Sequence, residues 1–232
     1  MRTVILHYHL FKNAGTSVDA ILKRNFGDRW VTREFPVNGG NNTALVEDWI
    51  RETPEAVAYS SHTMMGPIPR VEGVRVISFM LLRDPIERIK SAYRFERRQD
   101  ADTWGARLAK EHDFEGYVRA RLARPGDRQC RNFQTYRLAS LAPGKGTELE
   151  RAKRALKMLT VVGRVEAFDQ AMQRLTAELM TNSLALGLHD SWQNRSGGSS
   201  SALSKDLLDS LLISNQDDAR LLEVYEKAAR RS

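Results

Sequence analysis

"HLFKNAGTSVDAIL", residues 9–22, decides how this chain is read. The residues before it, Thr3 to Tyr8, are β-branched, aliphatic and aromatic, the composition of a buried strand. After it, apolar side chains recur at Val18, Ile21, Leu22 and Phe26 at helical spacing, and Gly27 is a natural stop. The stretch therefore predicts strand, tight loop, helix. A helix N-terminus presents backbone N–H groups and the positive end of its dipole. Gly15 allows close approach of a ligand to the backbone, and Thr16 and Ser17 add hydroxyl donors. That combination is how a chain builds a phosphate site.

Working outward, the chain of 232 residues suits one α/β domain over 1–232. It carries 36 Lys and Arg against 29 Asp and Glu, a formal charge of +7, which favours an anionic partner. No basic run is interleaved with aromatics and no zinc-finger spacing occurs, so nucleic acid is not the expected partner. The longest predominantly apolar run, Val76 to Leu82, is too short to span a bilayer, and His7, His9 and Lys12 interrupt any secretory core at the N-terminus. The single cysteine, Cys130, excludes an internal disulfide and reads as a half-buried helix residue. A reducing, cytoplasmic location is the simplest expectation.

Strands are predicted at Thr3–Tyr8, Ala56–Ser60, Arg75–Leu82 and Thr160–Val165. Helical patterns fall between them at Thr16–Phe26, Thr43–Glu52, Ile86–Arg98, Phe114–Ala123, Gln129–Ser140 and Glu148–Leu159. Phe168–Leu186, Lys205–Leu212 and Asn215–Arg230 follow the last strand. The alternation implies a parallel sheet with helices on both faces, of P-loop NTPase-like α/β class. Ligands of such sheets sit beyond the carboxyl ends of the strands, which puts the loops after Tyr8, Ser60, Leu82 and Val165 on one rim. The polar segment "NRSGGSSS", 194–201, is a solvated loop or a flap over an anionic ligand.

The first loop differs from the nucleotide triphosphatase signature, in which lysine follows the last glycine. Here Lys12 leads and Gly15 follows, and no acidic residue ends a later strand to hold magnesium. The site is expected to bind phosphate without a metal. In "LLRDPIERIKSAY", Asp84 is a good N-cap and Pro85 a good first helical residue. Arg83 then stands at a strand end, and with Ser91 on the following helix it can grip one phosphate; the alternative is an Arg–Asp pair that fixes the turn. His62 follows an apolar strand and can take a proton from a hydroxyl, with His7 and His9 as competitors and His112 and His189 as weaker ones.

These residues resemble a family. "HLFKNAGTS" is similar to the 5′-phosphosulfate loop of the sulfotransferases that use 3′-phosphoadenosine 5′-phosphosulfate (PAPS), and "LLRDPIERIKSAY" to their 3′-phosphate motif. The branch it most resembles is that of the carbohydrate sulfotransferases related to heparan sulfate 2-O-sulfotransferase, including soluble bacterial members. "YSSH" stands where that branch has a strand ending in Gly-His, "NFQTYRLAS" resembles its Asn-x-Gln-Thr-Arg helix, and "VVGRVEAFDQAMQRL" resembles its Val-Gly-x-x-Glu-x-Phe-Asp segment. The departures are Phe11 for proline, Asn13 for threonine, Ser61 for the glycine before the histidine, and Tyr136 inserted before Arg137.

The resemblance implies sulfuryl transfer from PAPS to an acceptor hydroxyl, carried on a carbohydrate, with 3′,5′-ADP as product. It implies that Lys12, Asn13, Ala14, Gly15, Thr16 and Ser17 hold the 5′-phosphosulfate, and that Lys12 meets the bridging oxygen. It further implies that Arg83 and Ser91 hold the 3′-phosphate, that Arg195 and Ser196 close over the nucleotide, that His62 is the base, and that Gln134 and Arg137 face the acceptor with His62. No metal is required. The competing readings are an ATP- and magnesium-dependent kinase and a nucleotide-binding module without turnover.

Overall fold

The computed structural model describes residues 1–37, 39–188 and 203–230. The expectations for His189, Arg195, Ser196 and the segment 194–201 lie outside the described residues. In chain order the first elements are β1 (Arg2–Tyr8), α1 (Gly15–Phe26), β2 (Trp30–Thr32), α2 (Thr43–Glu52), β3 (Ala58–Ser61) and β4 (Val74–Leu82). Then come α3 (Pro85–Arg98), α4 (Trp104–Glu111), α5 (Phe114–Ala123), α6 (Phe133–Leu141) and α7 (Glu148–Met158). The last are β5 (Val161–Arg164), α8 (Phe168–Thr181), α9 (Lys205–Ser214) and α10 (Gln216–Ala229). Two compact units result, one from Met1–Arg83 with Arg137–Arg195 and one from Asp84–Tyr136 with Ser196–Ser232.

The first unit holds the sheet. All neighbouring strands pair in parallel, in the order β2-β3-β1-β4-β5, so the expected α/β class is observed. β1 lies at the centre and its Val4, Ile5 and Leu6 are fully buried, as a strand covered on both faces requires. Ile5, in register with Ala58 and Ile77, joins Val18, Leu22 and Leu175 in the core beneath α1 and α8. Tyr59 alternates to the other face, where the Trp49 ring of α2 meets it edge-on at 4.9 Å. Gly163 of β5 is required for α8 to approach, because a Cβ there would lie 2.2 Å from the Cβ of Ala171.

The second unit is helical. Ile89 of α3, Leu108 of α4, Tyr117 and Val118 of α5, and Leu207 and Leu211 of α9 form its core. Inside it, Arg121 pairs with Glu96 at 2.7 Å and with Asp127 at 2.8 Å, while the Tyr117 hydroxyl donates to Glu96 at 2.7 Å. Gly105 lets α4 close on this cluster, since a Cβ there would lie 2.2 Å from an Arg121 nitrogen.

Several boundaries differ from expectation for identifiable reasons. The edge strand β2 and helix α4 were not expected; the first is only three residues long, and the second is announced by Thr103, whose hydroxyl caps the Ala106 N–H. The predicted Gln129–Ser140 helix starts at Phe133 instead, because Asn132 is left-handed (φ 42°) and its side chain accepts from the N–H groups of Asp217 and Asp218. Cys130 therefore lies in a turn, and it is fully buried rather than half-buried; burial pushes its thiol up to about 12. The predicted Phe168–Leu186 helix ends at Thr181, where left-handed Ser183 (φ 59°) lets Leu184 donate back to the Leu179 carbonyl.

Candidate functional site

The loop between β1 and α1 is built against local backbone preference. Lys12 (φ 65°) and Ala14 (φ 58°) are both left-handed without being glycine. Each such residue costs roughly 1–2 kcal/mol, so the surroundings must hold it. The buried Asn13 side chain does so by donating to the Leu81 carbonyl at 2.7 Å, and Arg83 donates to the Lys12 carbonyl at 3.0 Å. The end of β4 thus braces the loop after β1. Ala14 caps α1 without a side-chain acceptor, so the first helical turn keeps its positive character. Ser17 is buried there and Thr16 is exposed. Alternating backbone of this kind, with a helix N-terminus behind it, makes a concavity for an anion.

Beside the loop stands an array of histidines. His7 and His9 sit two residues apart at the end of β1, so both point to the same side. Each brings its Nδ1 to Asp19 of α1, at 3.0 Å and 2.9 Å, and their rings stack with centroids 5.3 Å apart. Ser60, which accepts from the Trp30 indole, lies 3.1 Å from the same His7 nitrogen. Burial alone would raise the Asp19 carboxyl; the hydrogen bonds from His7 and His9 outweigh it and hold the group well below the usual carboxylate range. Burial lowers the His9 pKa, against the pull of Asp19, so the ring is neutral. With Nδ1–H committed to Asp19, His9 carries its lone pair on Nε2. His7, His9 and Asp19 could also hold a metal ion, having donor atoms within 4.8 Å of one another, but hydrogen bonds already occupy those atoms.

His62 follows β3 and is about half exposed. Its ring lies on that of His9, with centroids 3.8 Å apart at a 34° tilt. Glu34 accepts from His62 Nδ1 at 2.7 Å and from the His62 backbone N–H at 3.2 Å. The hydroxyls of Thr63 and Ser61 also donate to Glu34, at 2.8 Å and 3.4 Å. Burial opposes ionisation of Glu34, but these hydrogen bonds prevail and lower its pKa. Its carboxylate can then only accept, so His62 Nδ1 carries a proton toward it. Sequence reasoning missed Glu34 and Asp19. Asp19 stood in the opening stretch ten residues from His9, but Glu34 carries no local signal, because only the pairing of β2 with β3 brings it to His62.

The remaining expected site residues are placed as follows. Arg137 is buried and donates to the Met64 carbonyl at 3.0 Å. In the second unit, Ser91 lies on the buried side of α3, whose N-cap Asp84 accepts from the Glu87 N–H with Pro85 in the first turn, as the sequence predicted. Gln134 is fully buried, and its backbone N–H donates to Asp218 at 3.2 Å. Asp218 also accepts from the Thr135 N–H and hydroxyl, both at 2.7 Å, although burial raises its pKa.

Residues 1–226 match the model of the sulfotransferase family. An uncharacterized protein of Archaeoglobus fulgidus is 41% identical over 182 residues, which cover 75% of this chain and 72% of that protein. With a match over nearly its whole length, a parallel sheet flanked by helices and this first loop, the chain belongs to the sulfotransferase family and has its P-loop-like α/β fold.

Proposed function

We propose that this protein transfers the sulfuryl group of PAPS to an acceptor hydroxyl, and that residues 1–232 act as one sulfotransferase domain. The observation that carries the reading is the loop Lys12–Ser17, held in a left-handed form by Asn13 and Arg83 at the mouth of a helix. Those residues fit a phosphosulfate: the loop presents backbone donors at a helix N-terminus and one lysine. PAPS supplies the sulfuryl group. Lys12 balances the negative charge that develops on the departing 5′-phosphate oxygen. Arg83 supplies charge to the 3′-phosphate, and the sequence motif assigns Ser91 as a hydroxyl donor to phosphate.

His62 is the base. As the acceptor oxygen bonds to sulfur, the bond from sulfur to the phosphate oxygen breaks and its electron pair leaves with 3′,5′-ADP. The acceptor proton passes to His62 Nε2. Such transfer asks for positioning and charge stabilisation and needs no covalent intermediate with the protein. The acceptor is a carbohydrate hydroxyl, on the likeness of "YSSH" and "NFQTYRLAS" to the heparan sulfate 2-O-sulfotransferase branch. Arg137 serves that side directly, whereas the buried Gln134 serves it by fixing the start of α6 on Asp218.

Thermal unfolding with 3′,5′-ADP, set against ATP with magnesium, tests the donor. A ligand at about 100 times its Kd adds roughly 2.7 kcal/mol. For a chain of this length that is a rise of roughly 5–10 °C. A rise with 3′,5′-ADP alone supports the reading; a rise with ATP and magnesium alone replaces it by the kinase. Transfer of labelled sulfate from PAPS to desulfated polysaccharides then tests the acceptor class.

A further inference from the structure

The geometry points to His9 as the spacer that sets His62 against the sulfate loop, and to Glu34 as the clamp that aims His62; both are positioning residues. The inference rests on reading His62 as the base. It starts from the two surfaces of one buried ring. One side of His9 packs on the loop: a Cβ added to Gly15 would lie 1.9 Å from its Cδ2 and 2.1 Å from its Nε2. The other side carries His62, centroids 3.8 Å apart. The ring itself cannot turn freely, because its Nδ1 is tied to Asp19 on α1, the helix that the loop begins. One imidazole therefore fixes the separation between the loop that would hold the donor and the side chain that would take the proton.

Glu34 supplies the orientation. It accepts from His62 twice, through the ring and the backbone, and from Thr63 and Ser61. A side chain about half exposed is otherwise free to rotate; four donors converging on one carboxylate restrain it. Ser61, which stands in place of the family's glycine, takes part through its hydroxyl, so this departure is absorbed into the clamp. The groups facing His62 are thus Glu34 from the segment after β2 and His9 from the end of β1, with Asp19 of α1 and His7 of β1 behind His9. A neutral His9 does not repel the imidazolium that His62 becomes on taking a proton.

The test uses the full chain with 3′,5′-ADP or PAPS and water as the acceptor. Ring nitrogen-15 spectra of labelled histidines read tautomers, and sulfate release from PAPS reads turnover. In the unsubstituted chain with 3′,5′-ADP bound, His9 and His62 should both carry the proton on Nδ1. Glu34→Ala should move His62 toward the Nε2–H form and lower kcat at least tenfold, with the Kd for 3′,5′-ADP unchanged within about threefold. His9→Ala should lower kcat at least tenfold at similar Kd, and His9→Phe, which restores a flat ring, should recover most of it. Wild-type turnover in His9→Ala, an unchanged His62 tautomer in Glu34→Ala, or no recovery in a folded His9→Phe would each overturn the inference. Failure of the unsubstituted chain to bind 3′,5′-ADP would overturn the donor reading instead, and the spacer would lose its catalytic meaning with it.

Discussion

Each unit of the protein buries a polar cluster, and the two clusters are built on opposite principles. In the helical unit, Glu96, Arg121, Asp127 and Tyr117 are tied to one another, and Gly105 lets α4 close on the cluster. In the sheet unit, His7, His9 and Asp19 are also tied together, but one of their rings continues outward to the half-exposed His62 and the strained Lys12–Ala14 loop. A buried network of opposite charges paired among themselves specifies packing. The row of stacked imidazoles between the carboxylates of Asp19 and Glu34 ends instead at the half-exposed ring of His62, which solvent reaches. Burial of a charged or polar group alone does not distinguish the two; where the chain of side-chain contacts ends does.

The largest effect should come from breaking the closed cluster. Glu96→Ala leaves Arg121 buried beside Asp127 alone and should cost about 3–5 kcal/mol in denaturant unfolding. The Kd of the remaining folded protein for 3′,5′-ADP should be unchanged, and a changed Kd would break the contrast drawn between the clusters. Next is Lys12→Ala at the open site. It should lower PAPS turnover by about 10²–10³-fold through lost leaving-group stabilisation while stability stays near that of the parent. Full turnover at saturating PAPS would remove the lysine from the chemistry.

A smaller, pH-dependent effect separates the clusters further. His9 and Asp19 both have lowered pKa values in the fold, so both bind fewer protons folded than unfolded. Stability should therefore fall as pH drops below about 6.5, where an unfolded histidine charges, and again below about pH 4, where an unfolded aspartate protonates. His9→Phe should flatten the first decline and Asp19→Asn the second, read as the midpoint of urea unfolding against pH. A decline between pH 6.5 and 5 that survives in His9→Phe would assign it elsewhere. The smallest effect should be Thr147→Ala, which removes the reciprocal capping box with Glu150 at the start of α7. A loss of about 1 kcal/mol with unchanged turnover is expected. It provides a baseline for an exposed cap that belongs to neither cluster.

Wherever the chemistry is carried by neighbours in the chain, it was legible in the sequence. The apolar run of β1, the spacing of Val18, Ile21 and Leu22, and the Asp84-Pro85 start of α3 each depend on residues within one or two turns of one another. Local sterics and hydrophobic periodicity decide such features, so the α/β class could be read before any contact was known. Legibility stopped where a partner is distant or short. The three residues of β2 carry too little pattern to be seen, yet their pairing with β3 delivers Glu34 to His62 across 28 positions of sequence. Asn132 was hidden inside a helical pattern that its left-handed turn interrupts, since distant groups, the side chain of Asn215 and the start of α10, hold that turn. What the sequence by itself determined is the alternation of strands and helices and the position of the first loop between them, because these follow from apolar spacing and helix start and stop signals. What only the tertiary structure decided is which histidine faces which carboxylate, because long-range pairing sets the distances and hydrogen bonds that assign each ring its tautomer.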